Sequence, residues 1–225
     1  MSNSILVLLS GGQDSATCLA LASDNQPKKL YTISFDYGQR HRRELECSKV
    51  LSSLAEVEEH FEVKVSSLEQ LGASALIEEG DITLKHKLNE DLPASFVPGR
   101  NMLFLTLAAA KAYQLGIKDI YTGVCQTDFS GYPDCRDNSI KAIQVALFLC
   151  LDFEVIIHTP LMWKTKAETV LLMKDLGRLD WYKYTHTCYE GVSPPCGRCP
   201  ACLLREEGFN KAGIIDPIRK SKCKK

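Results

Sequence analysis

The apolar run Ile5-Leu6-Val7-Leu8-Leu9 leads directly into Ser10-Gly11-Gly12-Gln13-Asp14-Ser15, and the helix-prone stretch Ala16-Thr17-Cys18-Leu19-Ala20-Leu21-Ala22 follows at once. A strand that ends in two glycines and enters a helix is suited to hold phosphate. Glycine has no Cβ, so the backbone turns sharply and its N–H groups come close to an anion; the helix start adds unpaired N–H groups and the positive end of its dipole. Asp14 and Ser15 suit the first helical turn as caps. A loop of the form G-x-x-x-x-G-K-[ST] would close with a lysine for the terminal phosphates. There is none here, so any cation that assists must come from elsewhere in the chain.

With 225 residues and 45% hydrophobic composition, the chain can bury a full core. The economical organisation is one domain over residues 1–180 with an appendage over 181–225. Lysine plus arginine and aspartate plus glutamate nearly cancel to a net charge of −1, which speaks against wrapping of a nucleic-acid backbone and so against a nucleic-acid partner. The basic tail from Arg219 to Lys225 reads as a solvated terminus. The opening run is too short for a membrane span or a signal-peptide core and lacks a basic flank, so the expectation is a cytoplasmic protein with no membrane association.

Strand-like and helix-like runs alternate, the pattern of an α/β fold with an open, Rossmann-like parallel sheet. Strands are expected near 5–9, 30–35, 61–65, 120–124 and 153–158. Cys47, Val50, Leu51 and Leu54 recur at helical spacing and mark an amphipathic helix that begins soon after Arg40. Met102 to Leu115 is apolar almost all round, so it should be buried on several sides or lie in a subunit interface. Residues 80–94 have weak periodicity and read as an insertion or a mobile loop. A further helix is expected from Lys166 to Leu176. In open parallel sheets ligands bind beyond the carboxyl ends of the strands, and four loops sit there: Ser10–Ser15, Asp36–His41, Cys125–Arg136 and Thr159–Lys166. All four should face one crevice.

Four of the ten cysteines crowd together as Cys188-x7-Cys196-x2-Cys199-x2-Cys202. In a reducing compartment such a cluster points to metal before disulfide. Four thiolates with no open position suit a structural Zn²⁺; an Fe–S cluster uses the same ligands, and a redox Cys-x-x-Cys is the third reading.

The S-G-G-x-D-S loop resembles the PP-loop of the ATP pyrophosphatase superfamily, whose members split ATP to AMP and pyrophosphate and activate a substrate oxygen by adenylation. Taken with Phe35-Asp36-Tyr37-Gly38-Gln39-Arg40-His41, Phe96-Val97-Pro98-Gly99-Arg100-Asn101, Ser130-Gly131-Tyr132-Pro133-Asp134-Cys135-Arg136, Thr159-Pro160-Leu161-Met162-Trp163 and the cysteine segment, the chain resembles the 7-cyano-7-deazaguanine synthase family of queuosine-precursor biosynthesis. The resemblance covers nearly the whole length. It implies a fold of the adenine nucleotide alpha hydrolase type with a C-terminal zinc-binding segment. It implies conversion of 7-carboxy-7-deazaguanine and ammonia, with ATP and Mg²⁺, to 7-cyano-7-deazaguanine, AMP and pyrophosphate, and a homodimer. Nucleotide binding would fall on Leu8 through Cys18 and zinc on Cys188, Cys196, Cys199 and Cys202. Asp14, Ser15, Arg100 and Lys164 are the candidate catalytic residues, with Lys166 the alternative to Lys164. Asp128 or Asp134 could accept the N–H donors of a deazaguanine, with Phe129 or Tyr132 stacked on it. His60, His86, His158 and His186 lack ligand spacing and read as structural. A tRNA-thiolating PP-loop enzyme would call for a basic RNA face, and a nucleotide-binding regulator would not need polar residues at four strand ends.

Overall fold

The structure is a computed structural model that describes residues 4–39, 42–71, 85–86, 89–127 and 131–220. The main sheet contains β1 (Ser4–Leu8), β2 (Lys29–Asp36), β3 (Glu59–Lys64), β6 (Asp119–Tyr121) and β7 (Ile156–His158), in the order β3-β2-β1-β6-β7. Every pairing in it is parallel. A small antiparallel pair, β4 (Lys85–His86) and β5 (Asn89–Pro93), lies apart from it. The order of strands reverses at β1, whose neighbours are β2 on one side and β6 on the other. That reversal opens a crevice beyond the ends of β1 and β6.

Alternation along β1 sends its side chains to two cores. Leu6 joins Tyr31, Ile33 and Phe35 beneath α4 (Arg100–Leu115) and α5 (Asp137–Leu151). Ile5, Val7 and Leu9 join Leu19 of α1 (Gln13–Asp24), Leu51 of α2 (Arg43–Leu54), Val170 and Met173 of α6 (Lys166–Asp175) and Phe209 of α7 (Pro200–Ala212). Both faces of the sheet are therefore covered, which is why β1 is apolar throughout rather than alternating. Short helices α3 (Ser66–Leu71) and α8 (Pro217–Lys220) and 3₁₀ turns at Pro133–Cys135 and Leu179–Tyr184 complete the described elements.

The five expected strands are all present, with shifted ends. Those read at 120–124 and 153–158 shrink to three residues each, because β6 and β7 share only three register pairs. Part of the segment read as an insertion forms the β4–β5 pair; residues 80–84 and 87–88 lie outside the described residues. Helix α5 has no counterpart among the elements expected from the sequence. It buries Ile140 and Leu147 while Val145, Phe148 and Leu149 stay exposed, so it presents an apolar surface on both sides. Helix α4 is buried along Leu105, Ala108, Ala109 and Ala112, whereas Met102 and Tyr113 reach the surface. Within the single chain it is covered on one side.

A buried ion pair locks the C-terminal helices to one another. Arg205 of α7 donates from Nε and Nη2 to both oxygens of Asp216, at 2.6 and 2.9 Å, and from Nη1 to Thr185 Oγ1 at 2.8 Å. A fork-to-carboxylate contact of this kind fixes orientation as well as distance. Gly208 allows α7 to approach α6: a Cβ there would lie 2.6 Å from the Cβ of Lys166.

Candidate functional site

A cavity of about 320 Å³ opens at the strand reversal, within the range typical of small-molecule sites. All four strand-end loops contribute to it, through Ser10–Ser15, Tyr37 with Gln39, Cys125 with Tyr132 and Cys135, and Lys166. Arg40, His41, Asp128 and Phe129, also considered as site residues, lie outside the described residues.

One wall is the Ser10–Ser15 loop. Gly11 sits at φ +85°, and a Cβ on it would lie 2.1 Å from the Glu44 carbonyl oxygen, so the loop can nest against α2 only with glycine there. Gly12, not Asp14 or Ser15, is the N-cap of α1, and no side chain caps the helix. Its first N–H groups are left for a ligand. Ser15 Oγ instead donates back to the Gly12 carbonyl at 3.1 Å and shares a 3.0 Å hydrogen bond with Ser10 Oγ. Asp14 Oδ2 accepts from Lys166 Nζ at 2.5 Å, while Asp14 Oδ1 is buried with no hydrogen-bond partner. From the β6 side, Gly123 closes on the same turn: a Cβ would lie 2.9 Å from the backbone of Asp14 and of Ser15.

Of the Leu8–Cys18 stretch, Leu8, Leu9, Ser10, Gly12, Gln13, Asp14 and Ser15 line the cavity. Gly11 faces α2, and Ala16, Thr17 and Cys18 are fully buried in the core. Thr17 Oγ1 lies 2.6 Å from Tyr182 Oη, a structural bond. Lys164 does not line the cavity; its carbonyl accepts from Thr127 Oγ1 at 2.5 Å, and Lys166 is the lysine that reaches in.

The opposite wall gathers side chains from distant parts of the chain. Arg100 begins α4 after Gly99, which takes the left-handed conformation at φ +70°. Its guanidinium donates to Tyr37 Oη at 3.3 Å and lies 5.8 Å from the Tyr37 ring centre and 5.9 Å from that of Tyr132. Burial works against the charge, but Tyr37 and Tyr132, then Asp134 and Tyr189, outweigh it and raise the Arg100 pKa. Burial also raises the phenols of Tyr37 and Tyr189, so both stay neutral. Glu44, in the first turn of α2, faces the same space; burial pushes its carboxyl up to about 7 against the opposing pull of Arg100. Asp134 is engaged elsewhere, its Oδ2 accepting the Asn101 backbone N–H at 3.0 Å. Tyr132 is a lining residue anchored through a 2.6 Å bond between its hydroxyl and Ser95 Oγ. Glu44 and Arg205 were not anticipated as lining residues, because no local motif surrounds them, and Tyr189 was not because its neighbours were read for metal alone.

The segment from Thr185 to Tyr189 joins these walls to the cysteine cluster. The His186 backbone N–H donates to the Gly11 carbonyl at 2.9 Å, and Tyr189 extends to the Arg100 side. Between them stands Cys188, whose sulfur groups with those of Cys196, Cys199 and Cys202, all within 4.8 Å of one another. Four sulfurs around a tetrahedral ion at ~2.3 Å would be separated by roughly 3.8 Å, so the set fits one metal ion. Backbone N–H groups of Cys196 and Cys199 point at the sulfurs of Cys188 and Cys196, at 3.4 and 3.3 Å. Cys199 is the N-cap of α7. A hydrogen bond from Cys202, with backbone N–H groups adding to it, draws the Cys199 thiol down to about 5, while that same hydrogen bond raises Cys202 and burial raises Cys188. His186 Nε2 lies 3.0 Å from the Cys188 carbonyl oxygen and stands outside the sulfur set.

Among solved structures, the NMN synthetase of Francisella tularensis superposes with a TM-score of 0.50 over 95% of this chain and 79% of that one, at 14% identity. The likeness extends to the fold alone. Sequence relatives are much nearer. A 7-cyano-7-deazaguanine synthase of Chromobacterium violaceum is 48% identical over 95% of this chain and 92% of its own, and one of Laribacter hongkongensis is 46% identical over 95% and 93%. The family model described as queuosine biosynthesis protein QueC matches residues 4–213, which takes in both cavity walls and all four clustered cysteines. The chain belongs to the queuosine biosynthesis protein QueC family.

Proposed function

We propose that this chain is an AMP-forming carbon–nitrogen ligase that converts 7-carboxy-7-deazaguanine and ammonia to 7-cyano-7-deazaguanine, the product for which its relatives are named. The observation that carries the reading is the pairing of an anion-binding loop with a half-buried, permanently charged arginine across one cavity. ATP and a carboxylate substrate each find a matching wall.

Backbone N–H groups at the start of α1, with the Ser10 and Ser15 hydroxyls, cradle the phosphates. Lys166 supplies the cation that the loop itself lacks, in the role expected of Lys164. The unpartnered Asp14 Oδ1 suits Mg²⁺, whose contribution when bound is to neutralise phosphate charge. Arg100 holds the substrate carboxylate, and the Tyr132 ring offers a face to the heterocycle. A substrate carboxylate oxygen attacks the α-phosphorus and pyrophosphate leaves. Ammonia then displaces AMP to give the amide. The amide oxygen is adenylated in turn, and loss of the second AMP leaves the nitrile. None of these steps requires a protein nucleophile; orientation and charge stabilisation suffice.

Cys188, Cys196, Cys199 and Cys202 would hold one Zn²⁺ in a structural role. We take residues 1–180 as the catalytic body and 181–225 as a zinc-binding segment packed on it, a division supported by the Arg205–Asp216 pair inside the segment and the His186–Gly11 bond that joins it to the body. We also infer a cytoplasmic homodimer that binds no nucleic acid. The exposed Val145, Phe148 and Leu149 on α5 support the dimer, since an apolar helix patch can meet its own copy. No helix among the described residues is long and apolar enough to cross a membrane. The purified protein, given ATP, Mg²⁺, ammonium and 7-carboxy-7-deazaguanine, should yield the nitrile by mass together with AMP. Formation of ADP, or no turnover by protein with its zinc intact, refutes the assignment.

A further inference from the structure

The conversion of a carboxylate to a nitrile sets a proton count that the phosphate loop and the arginine alone do not meet. Ammonia brings three hydrogens on its nitrogen, and the nitrile nitrogen keeps none. One proton leaves when ammonia displaces AMP from the acyl-adenylate. Two more leave the same nitrogen as the adenylated amide, R–C(OAMP)=NH₂⁺, becomes R–C≡N and AMP. Both oxygens of the substrate carboxylate depart on the two AMP molecules, and no electrons are transferred to or from an outside partner. A carboxylate beside the reacting carbon would take these protons ahead of water or the departing AMP and so speed both losses.

From the geometry we propose that the Glu44 carboxylate is that acceptor, taking protons from the nitrogen while Arg100 orients the group from which the oxygens leave. The inference rests on the synthase reading above. Glu44 and Asp14 are the carboxylates lining the cavity among the described residues. Asp14 is paired with Lys166 on the phosphate wall. Glu44 stands at the junction of the walls: its backbone carbonyl abuts Gly11, and its side chain shares a field with Arg100, Tyr37, Tyr189 and Cys47. Of the other titratable groups there, His186 has its Nε2 engaged by the Cys188 carbonyl at 3.0 Å, and the rest are poor acceptors. Tyr37 and Tyr189 are raised by burial, Cys47 is raised to about 11 chiefly by burial, and Arg100 is held as a cation. A carboxyl raised by burial to about 7 can take a proton and return it to water near neutral pH.

The test uses the full-length protein with the carboxamide of the same heterocycle and ATP. This enters at the second half of the reaction and removes the ionisation of ammonium from the pH profile. Wild-type kcat should fall as pH drops through about 7, because a protonated Glu44 cannot accept. Glu44→Gln should lower kcat by about 10²–10⁴-fold, lose that acidic limb, and keep ATP affinity and the KM for the amide within about threefold. Glu44→Asp should restore part of the rate with an acidic limb. A Glu44→Gln enzyme that keeps its rate, or keeps the acidic limb, overturns the assignment. So does a wild-type profile without that limb, which decides the matter even if the variant fails to fold. Wild-type protein that makes nitrile from neither carboxylate nor amide overturns the synthase reading itself, a result separate from the loss of Glu44 alone.

Discussion

On one wall of the cavity the groups that meet a ligand are backbone amides and hydroxyls from the contiguous residues Ser10 to Ser15; on the other they are side chains of Tyr37, Glu44, Arg100, Tyr132 and Tyr189. The first wall is shaped by what its glycines lack. The second depends on charge held in place by burial and by aromatic neighbours. A backbone wall is vulnerable to an added methyl group and indifferent to most side-chain charges, whereas a side-chain wall behaves in the opposite way. The Thr185–Tyr189 segment touches both, and Cys188 ties it to the sulfur cluster.

Breaking that tie should have the largest effect, because both walls lose their common brace. Zinc–thiolate sites in small peptides bind with apparent free energies of roughly 10–16 kcal/mol, and in such segments binding energy is folding energy. Cys199→Ser should release about one zinc per chain, measured by metal analysis, and should expose residues near 188–212 to limited proteolysis. Affinity for ATP and for the carboxylate substrate should fall together. A variant that keeps its zinc, or that loses binding on one wall alone, contradicts the bracing role.

The contrast between the walls also explains which features are legible in the sequence. The strand, loop and helix around Ser10–Ser15 are consecutive, and four cysteines within fifteen positions announce themselves by spacing, so both stand out in the linear chain. The helix cap does not, because Ser15 turns its hydroxyl back onto the Gly12 carbonyl instead of reaching an N–H. Glu44 is hidden for a tertiary reason: a glutamate in the first turn of an amphipathic helix reads as a solvated dipole partner, and only the approach of the α2 start to Gly11 and to the Arg100 side chain turns it inward. Helix α5 escapes because Val145, Phe148 and Leu149 are as apolar as the buried Ile140 and Leu147, which erases the two-faced pattern on which periodicity depends.

A single methyl group sharpens the comparison at smaller cost. Gly123→Ala would drive a Cβ to 2.9 Å from the backbone of Asp14 and Ser15, where no flexible side chain can yield. Overpacking of this kind costs about 1–3 kcal/mol, read as a lowered denaturation midpoint, and it should weaken ATP binding as the α1 start is displaced. Gly99→Ala on the other wall meets nothing within 4 Å but must hold φ +70°. It should lose about 1 kcal/mol and leave ATP affinity unchanged. Equal effects on ATP binding from the two variants would show that the walls are not separately built.

Charge provides the finest division, through two cations placed on opposite sides. Lys166 pairs with Asp14, with side chains 12% and 25% exposed, and so belongs to the phosphate wall. Arg100, at the base of the other wall, is accompanied by the phenols of Tyr37, Tyr132 and Tyr189, by Asp134 and by Glu44. Replacing each by methionine keeps much of the stem and removes the head. A charge-assisted hydrogen bond lost from a ligand is worth about 1.5–3 kcal/mol, or roughly 10–100-fold in binding. Arg100→Met should raise the KM of the carboxylate substrate by that factor with the dissociation constant of ATP unchanged. Lys166→Met should do the reverse, by the smaller end of the range, because removing the lysine also leaves Asp14 free to hold a cation from solution. The decisive measurement is the cross pair, ATP binding to Arg100→Met and substrate KM in Lys166→Met. If either moves as far as its direct counterpart, the cavity is one electrostatic unit, and the assignment of phosphate to the backbone wall and carboxylate to the side-chain wall is wrong.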